Sequence, residues 1–410
     1  MRIITISSGK GGVGKTTFAI NYALSLSRHG KTILVDLDTG TSSIRNSLDV
    51  PIQRDLYHFF RKGHRLDDCV TSLDQRMDPK GRFPNFGFVA GPRRMIEEIA
   101  NLDKSRRHHL IDAINGLSAK YVVLDLKAGL DENVVDFLPF SNTGILIFTP
   151  HLTAATMTAS DLVKAVLFKK LRHIFSFHSP IFDEIGTGSD FYYRINTLID
   201  KVEDVYDFDF NNLDDFLVWL AAELDNSRVV QVIANTVKYF RAFFVLNMFN
   251  ETKESYQKAV KPFVENIVQY VSSGIRIVNL GCLLNSEKMH LAGCQNVPVL
   301  LYDDVLGGKK DKTGATTFTQ VTEDLENEDK DAPALSEPYK KSDSVIKLQR
   351  QLDILKQIYT QTRNITIEQN FEYIIERSMY LLKNPRPSHF GDTRLFKDGE
   401  IVDVLFKRGQ

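Results

Sequence analysis

A glycine-rich segment near the N-terminus carries the clearest chemistry in this 410-residue chain. Residues 9–17 read Gly-Lys-Gly-Gly-Val-Gly-Lys-Thr-Thr and satisfy G-x-x-x-x-G-K-[ST] from Gly9 to Thr16. Glycines let backbone N–H groups wrap phosphate oxygens, Lys15 can reach the terminal phosphates, and the Thr16 hydroxyl can ligate Mg²⁺. The segment predicts a phosphate-binding loop. Its predicted binding residues are Gly11, Gly12, Val13, Gly14, Lys15, Thr16 and Thr17.

Three aspartates stand at the ends of apolar runs. Asp36 and Asp38 are two residues apart where a strand leaves the sheet, so both carboxylates point toward the same edge. Asp125 ends a second apolar run. Carboxylates in these positions can hold a Mg²⁺-bound water or orient an attacking water. The spacing alone leaves open which aspartate has which role.

Short apolar strands alternating with helices must position these groups. Continuous apolar runs are typical of buried parallel strands, and their alternation with helices places helices on both faces of the sheet. We therefore expect a doubly wound α/β fold with a mostly parallel sheet. A helix is predicted over 16–29, with Gly30 as its C-cap. The predicted strands are 2–7, 31–36, 121–125, 144–149, 243–247 and 275–280.

Lys10 distinguishes this loop from an ordinary phosphate loop, in which almost any residue stands at this position. The string Lys10–Thr17 resembles the deviant Walker A motif of the MinD/ParA family of P-loop ATPases. The resemblance implies an ATP-dependent homodimer that uses Mg²⁺, with Lys10 reaching the phosphates of the partner. It extends over about 1–165 and 240–302, and it favours the MinD- and FlhG-like subgroup.

Further segments resemble motifs of the same family. Val35–Gly40 is similar to its second motif, and Leu124–Gly129 is similar to its Walker B segment. The resemblance implies that Asp38 orients the attacking water and that Asp36 and Asp125 surround the metal beside Thr16. The catalytic set is then Lys10, Lys15 and Asp38.

A later segment bears on recognition of the base. Val245–Met248 is similar to the family strand whose terminal asparagine reads adenine, which implies that role for Asn247. The chain also departs from the family pattern. Lys127 stands where a small residue or proline is usual, and His151 and Met157 stand where acids are frequent. These departures bear on the rate of hydrolysis and on its activation.

The chain divides into three predicted parts. Residues 1–302 form the ATPase domain, with an acidic helical insertion at about 171–235. Between 181 and 226 there are twelve acids against two cations, which is either a solvated surface or a docking face for a basic partner. Residues 303–343 are predicted as a flexible acidic linker. Residues 344–410 are predicted as a C-terminal αα-hairpin extension, which masks a dimer face, docks a partner or covers the sheet.

The resemblance implies a switch whose ATP-bound dimer engages a surface, partner or activator and is released by hydrolysis, to position a division site or flagellum. The alternative is a slow or non-hydrolysing nucleotide-gated scaffold that binds a protein partner. A metal-inserting ATPase needs paired cysteines, whereas Cys69, Cys282 and Cys294 are far apart, so we expect no metal cluster.

Charge and hydropathy limit the remaining classes. With 51 basic and 52 acidic residues the net charge is −1, which excludes a chain-wide polycation. A local DNA-binding surface stays open at 54–109, where twelve Arg and Lys face eight acids. Residues 404–408 only faintly resemble the membrane helix of MinD. With no apolar run of membrane-spanning length, we expect a cytoplasmic protein, with peripheral membrane attachment left open.

Overall fold

Eight strands form one sheet in the order β3-β4-β2-β5-β1-β6-β7-β8. The computed structural model describes residues 1–38, 43–139, 142–176, 188–204, 206, 209–223, 227–307, 341–362, 366–383, 395 and 397. All neighbouring strands are parallel except the antiparallel pair β3 and β4 at one edge. This confirms the predicted α/β fold with a mostly parallel sheet. The strands are β1 (Arg2–Ser7), β2 (Thr32–Leu37), β3 (Thr71–Ser72), β4 (Phe86–Val89), β5 (Tyr121–Leu126), β6 (Asn142–Phe148), β7 (Arg241–Phe249) and β8 (Arg276–Leu284).

Helices connect and cover these strands. Those before the predicted insertion are α1 (Lys15–Ser27), α2 (Ser43–Ser47), α3 (Leu56–Lys62), α4 (Glu97–Ala100), α5 (Lys104–Asn115), α6 (Glu132–Val135) and α7 (Thr153–Ile174). The insertion contains α8 (Gly188–Glu203), α9 (Leu213–Glu223) and α10 (Ser227–Tyr239). The later helices are α11 (Thr252–Ser255), α12 (Lys261–Tyr270), α13 (Glu287–Cys294), α14 (Tyr302–Leu306), α15 (Lys341–Thr362) and α16 (Ile367–Lys383). A 3₁₀ turn (Leu66–Cys69) and a π turn (Tyr256–Val260) complete the described elements.

Helix α1 ends earlier than the sequence predicts. Its C-cap is Arg28, whose N–H bonds to the carbonyls of Leu26 and Ser25, so the prediction of Gly30 as the cap is wrong. Gly30 lies two residues beyond, in the link to β2, where Thr32 donates its hydroxyl to the Gly30 carbonyl. The glycine therefore serves the turn into the strand instead of the end of the helix.

The central strands are almost entirely buried because both faces of the sheet are covered. Every residue of β5 and β6 is buried, and β1 and β2 are buried except at one end. Helix α1 turns back over β5 toward β2, whereas α7 leads in the opposite direction, so right-handed crossovers place them on opposite faces. This arrangement leaves the carboxyl ends of β1, β2 and β5 together at one edge.

The predicted C-terminal hairpin covers the outer edge of the sheet. Helix α15 packs on β8 and α12, whereas α16 packs on β8 and α1, so the two helices straddle the edge strand. Gln351 Nε2 donates to the Ile277 carbonyl at 3.0 Å, and Arg377 Nη2 donates to the Asn279 carbonyl at 2.8 Å. Side chains of the hairpin thus bond the strand carbonyls that would otherwise form an open edge.

Ion pairs fasten the hairpin to the helix that follows the phosphate loop. Arg28 of α1 pairs with Glu368 and Glu372 of α16, and Arg82 joins Glu368 to Asp304. Asp304 lies in α14, so the first residues of the segment predicted as a linker form a helix held by this network. Residues 308–340 lie outside the described residues, and the division of the chain into domain, linker and extension stays a prediction.

Gly144 is expected to be the most sensitive glycine of the sheet. Its φ is +63°, and a Cβ built there would lie 2.6 Å from the Thr5 carbonyl of β1. Because backbone cannot retreat as a flexible side chain can, Gly144→Ala should lower the free energy of unfolding by about 3 kcal/mol.

Gly63→Ala is the matched control, because Gly63 has a similar φ of +67° with no atom within 4 Å of the added Cβ. We expect it to cost about 1 kcal/mol, the strain of the left-handed conformation alone. Urea titration followed by circular dichroism measures both variants, and equal losses would contradict the clash with Thr5.

Candidate nucleotide-binding site

The predicted phosphate loop connects β1 to α1 at the carboxyl edge of the sheet. Gly14 is the N-cap of α1 and has φ +81°, which glycine adopts without the strain of a Cβ. A Cβ at Gly14 would collide with the side-chain amide of Asn247 on β7. The loop therefore requires glycine here for both its backbone turn and its close neighbour, and the N-terminal end of α1 faces the same edge.

Lys15 and Thr16 both bond to one buried carboxylate. Lys15 Nζ lies 2.6 Å from Asp125 Oδ1, and Thr16 Oγ1 donates to Asp125 Oδ2 at 2.7 Å. Asp125 is fully buried, and the Lys15 side chain is only 6% exposed. The structure thus brings together three of the predicted site residues from segments more than 100 positions apart.

Asp36 lies beside Asp125 because β2 and β5 pair in register at these two positions. It accepts hydrogen bonds from the backbone N–H groups of Asp38 and Gly91, at 3.2 and 3.3 Å. Burial, and secondly the neighbouring Asp125 carboxylate, raise the pKa of Asp36 to about 8, although Lys15 acts in the opposite direction. Two buried carboxylates on neighbouring strands, with little solvent to screen their charges, favour a bound cation.

Asp38 and Lys10 occupy the more open side of the site. The Asp38 carboxylate is 15% exposed and lies 3.8 Å from Lys15 Nζ. Lys10 is exposed, and the hydroxyl of Ser8 donates to its carbonyl oxygen. Lys15 therefore belongs to the buried interior of the site, whereas Lys10 lies at its exposed surface.

Asn247 contacts the phosphate loop itself. It is 3% exposed, and its Nδ2 donates to the Val13 carbonyl at 2.8 Å. The next residue, Met248, has φ +55°, and its carbonyl oxygen lies 3.0 Å from His151 Nε2. The hydrogen bond to Val13 gives Asn247 a role in holding the loop. The role of Asn247 in reading adenine stays a prediction.

Sequence reasoning missed a hydrogen-bonded connection behind Asp36. The Gly91 N–H bonds to Asp36, and the Gly91 carbonyl accepts from Arg45 Nη2 at 3.0 Å. Arg45 also bonds to Asp55, the N-cap of α3, at 2.6 Å. The one available signal was the position of Gly91 in the connection that follows β4, at the carboxyl edge of the sheet. An isolated Gly-Pro pair and a single arginine do not form a recognisable motif.

Two of the residues that depart from the family pattern, Lys127 and Met157, contact neighbouring side chains. Lys127 Nζ lies 3.0 Å from Asp131 four residues on, an exposed ion pair. Met157 is 43% exposed, and the Asn266 amide lies 2.8 Å from its sulfur. Lys127 thus forms an ion pair with Asp131 and not with a residue of the phosphate loop.

The donor atoms at this edge suit magnesium bound together with phosphate. Mg²⁺ prefers oxygen ligands and usually takes one or two from the protein, with phosphates and waters completing its shell. Thr16 and Asp125 supply a hydroxyl and a carboxylate that bond to each other, and Asp36 adds a second carboxylate on the neighbouring strand. Among the described residues there is no group of three or more His, Cys, Asp or Glu that could hold a metal without such help.

Asp36→Asn is expected to stabilise the metal-free protein at alkaline pH. The folded pKa of about 8 lies above the ordinary 3.8, so folding takes up a proton and stability falls as pH rises between these values. The amide removes this loss, and we expect a gain of about 2 kcal/mol at pH 8 and less at pH 5. Urea unfolding in a chelator at both pH values measures it.

Asp125→Asn is the matched variant on the neighbouring strand, with the opposite expected sign. It leaves the buried Lys15 ammonium without its 2.6 Å carboxylate, which should cost about 3 kcal/mol. If both variants are less stable than the parent chain at pH 8, the inference that the buried Asp36 carboxylate destabilises the folded protein is wrong.

None of the helices that the structure describes is both long enough and apolar enough to cross a membrane.

A family profile and several known proteins are similar in sequence to this chain. The profile of the CobQ/CobB/MinD/ParA nucleotide-binding domain matches residues 4–299. The putative septum site-determining protein MinD of Chlorella vulgaris is 29% identical over 154 residues, which are 37% of this chain and 52% of that protein. The Helicobacter pylori MinD is 28% identical over 171 residues, 41% of this chain and 59% of that protein. The chain thus spans about half the length of the curated relatives it matches.

Solved structures with a similar course of the chain include MinD of Pyrococcus horikoshii in complex with Mg-ADP. It has 16% identity and a TM-score of 0.40, over 74% of this chain and 89% of that one. The apo McdA structure of Cyanthece has 15% identity and a TM-score of 0.42, over 74% and 95%. On the profile match over residues 4–299, the chain belongs to the CobQ/CobB/MinD/ParA nucleotide-binding domain family.

Proposed function

We propose that the chain is a Mg²⁺-dependent ATPase that forms a homodimer in ATP and helps to position a cellular structure such as the division site. The supporting observation is the convergence of Lys15, Thr16, Asp36, Asp38 and Asp125 at one sheet edge, next to a loop of deviant Walker A sequence. Family membership supports nucleotide binding, and the septum site-determining relatives support the positioning role.

The residues divide the work of hydrolysis by position. The loop N–H groups and Lys15 would hold the phosphates. The Thr16 hydroxyl, with Asp36 and Asp125, would hold Mg²⁺, which would supply neutralisation of phosphate charge. Asp38, the more exposed carboxylate, orients the water that attacks the γ-phosphorus as the bond to the β-phosphate oxygen breaks. Lys10 stabilises the charge on the phosphates of the partner protomer.

Lys15 must exchange partners when a nucleotide binds. Its ammonium is now bonded to Asp125, and Asp38 lies 3.8 Å away. Phosphate oxygens compete for the same ammonium, which frees the Asp125 carboxylate to face the metal side with Thr16. Nucleotide binding is thereby coupled to the charge state of the buried carboxylates.

A slow nucleotide-gated scaffold is the second candidate function. Met157 stands in α7 where the family often carries an acid, and it is exposed beside Asn266. A chain without that acid would bind ATP and a partner while turning over negligibly. The two functions differ in how long the ATP-bound dimer lasts.

Molar mass by light scattering over time distinguishes them. In Mg-ATP the mass should double, and in Mg-ADP it should stay that of a monomer. A dimer that decays as phosphate is released supports the ATPase switch. A dimer that persists with no phosphate released supports the scaffold. A monomer in both nucleotides would refute the role of Lys10 across a dimer.

A further inference from the structure

Helix α9 of the insertion carries apolar side chains on two opposite faces. Its inner face is buried and consists of Leu213, Phe216 and Leu220. A second set, made of three apolar residues and one aspartate, follows the spacing i, i+3, i+4 and i+7 and is exposed. We call this set the outer face of α9; it consists of Asp215, Val218, Trp219 and Ala222.

The outer face departs from what a surface helix normally shows. A helix at the surface of a globular protein pairs one apolar stripe with a polar opposite face. Here Val218 is 70% exposed and Trp219 is 38% exposed. Val218 and Trp219 are thus neighbouring exposed apolar side chains, and contiguous apolar surface is a feature of protein interaction sites.

Trp219 is held in place before any partner arrives. Its ring centroid lies 5.4 Å from that of Phe210 and 6.2 Å from that of Phe216, which fix the indole against the body of the insertion. A fixed aromatic side chain loses little conformational entropy on binding, and tryptophan is enriched among residues that dominate binding energy.

The charged side chains of helix α9 itself have one sign. Residues 211–223 contain three acids, Asp214, Asp215 and Glu223, and no lysine or arginine. Asp214 accepts from the hydroxyls of Ser272 and Ser273, and Asp215 accepts from the Asn211 amide, so neutral donors bond these carboxylates and leave their charge in place. The surroundings favour a cationic ligand and oppose an anionic lipid surface.

We propose that the outer face of α9 docks a cationic amphipathic helix of a partner protein. Apolar side chains of that helix would pack on Val218 and Trp219, as one helix packs on the ridge of another. Its lysines and arginines would face the exposed acids Asp215 and Glu223. The site lies in the insertion, apart from the nucleotide edge, and adds a partner surface to the proposed switch.

Trp219 reports this binding directly, because it is the only tryptophan of the chain. The full chain is titrated with a synthetic peptide of about 18 leucines and lysines in helical periodicity, without aromatic residues. We expect a saturable shift of the emission to shorter wavelength. A peptide of the same composition in scrambled order should bind at least tenfold more weakly.

Two variants test the face. Val218→Lys and Asp215→Lys each keep Trp219 and should weaken binding at least tenfold, by loss of apolar contact and by charge reversal. Met95→Lys is the matched control, because Met95 is also 70% exposed and lies near α4; it should bind as the parent chain does. Circular dichroism and unchanged ATP hydrolysis verify that the variants are folded.

Three outcomes would overturn the proposal. The first is equal affinity of the parent chain and both variants, or of the ordered and scrambled peptides. The second is a spectral shift caused by phosphatidylglycerol vesicles but not by the peptide, which would assign the face to a membrane. The third is self-association of the chain without peptide that Val218→Lys abolishes, which would assign the face to a second copy.

Discussion

Lys10→Ala should leave the chain monomeric in Mg-ATP and lower its steady-state ATPase rate by about 10³-fold, the effect of removing a cation supplied in trans. Lys15 is buried against Asp125, whereas Lys10 is exposed on the same loop. We therefore propose that Lys15 serves the bound nucleotide and Lys10 a partner molecule. Light scattering and phosphate release, measured on the same sample, test both parts of this result.

Nucleotide affinity separates this role from simple loss of the loop. Because the proposed role of Lys10 is at the partner's phosphates, the Kd of the Lys10→Ala monomer for a fluorescent ATP analogue should change by less than about threefold. Lys15→Ala, in contrast, should abolish binding of the analogue.

Lys127→Ala is the matched control for the Lys10 variant. Lys127 is an exposed cation near the same edge, but it pairs with Asp131. Exposed pairs of this kind contribute little, so we expect less than a twofold change in rate. A Lys10 variant that still doubles its mass in ATP would contradict the trans role.

Asp38→Asn should lower the rate of ATP hydrolysis by about 10² to 10³-fold while leaving the ATP-bound dimer intact. The amide keeps the size of the carboxylate but loses the negative charge that orients the attacking water. Since Asp38 is 15% exposed and 3.8 Å from Lys15, its replacement leaves the Lys15–Asp125 pair in place. Single-turnover phosphate release and light scattering in Mg-ATP measure the two effects.

Asp131→Asn is the control for that variant, because it removes an exposed carboxylate at the same edge whose described partners are Lys127 and the backbone N–H of Val134. Its rate should stay within about twofold of the parent chain. If the parent chain itself releases phosphate no faster than Asp38→Asn, the scaffold function replaces the ATPase.

Much of this site is predictable from local sequence. The loop from Gly9 to Thr17 has fixed spacing between strand and helix, and its chemistry depends on residue types within nine positions. The aspartates at 36 and 125 end apolar runs, and parallel strands bring such ends to one edge whatever the intervening chain does. Six of the eight described strands followed from the same apolar runs, whereas β3 and β4 were not predicted.

Other properties depend on contacts between distant segments. The raised pKa of Asp36 arises from its burial and from Asp125, 89 positions away, which the pairing of β2 with β5 places beside it. The contact of Asn247 with Val13 arises because β7 ends next to the loop. Neither apolar pattern nor motif encodes the distance between such groups.

The C-terminal hairpin illustrates the division between the two levels. Its apolar spacing predicted two amphipathic helices, and the structure confirms them at Lys341–Thr362 and Ile367–Lys383. The sequence left open what they cover, because an apolar stripe states that a face is buried and not against what. Gln351 and Arg377 decide this by bonding carbonyls of β8. By itself, then, the sequence determined the phosphate chemistry and the type of the main strands and helices. The packing partner of each helix and the charge of the buried groups depended on the folded chain, because both are set by neighbours that are remote in sequence.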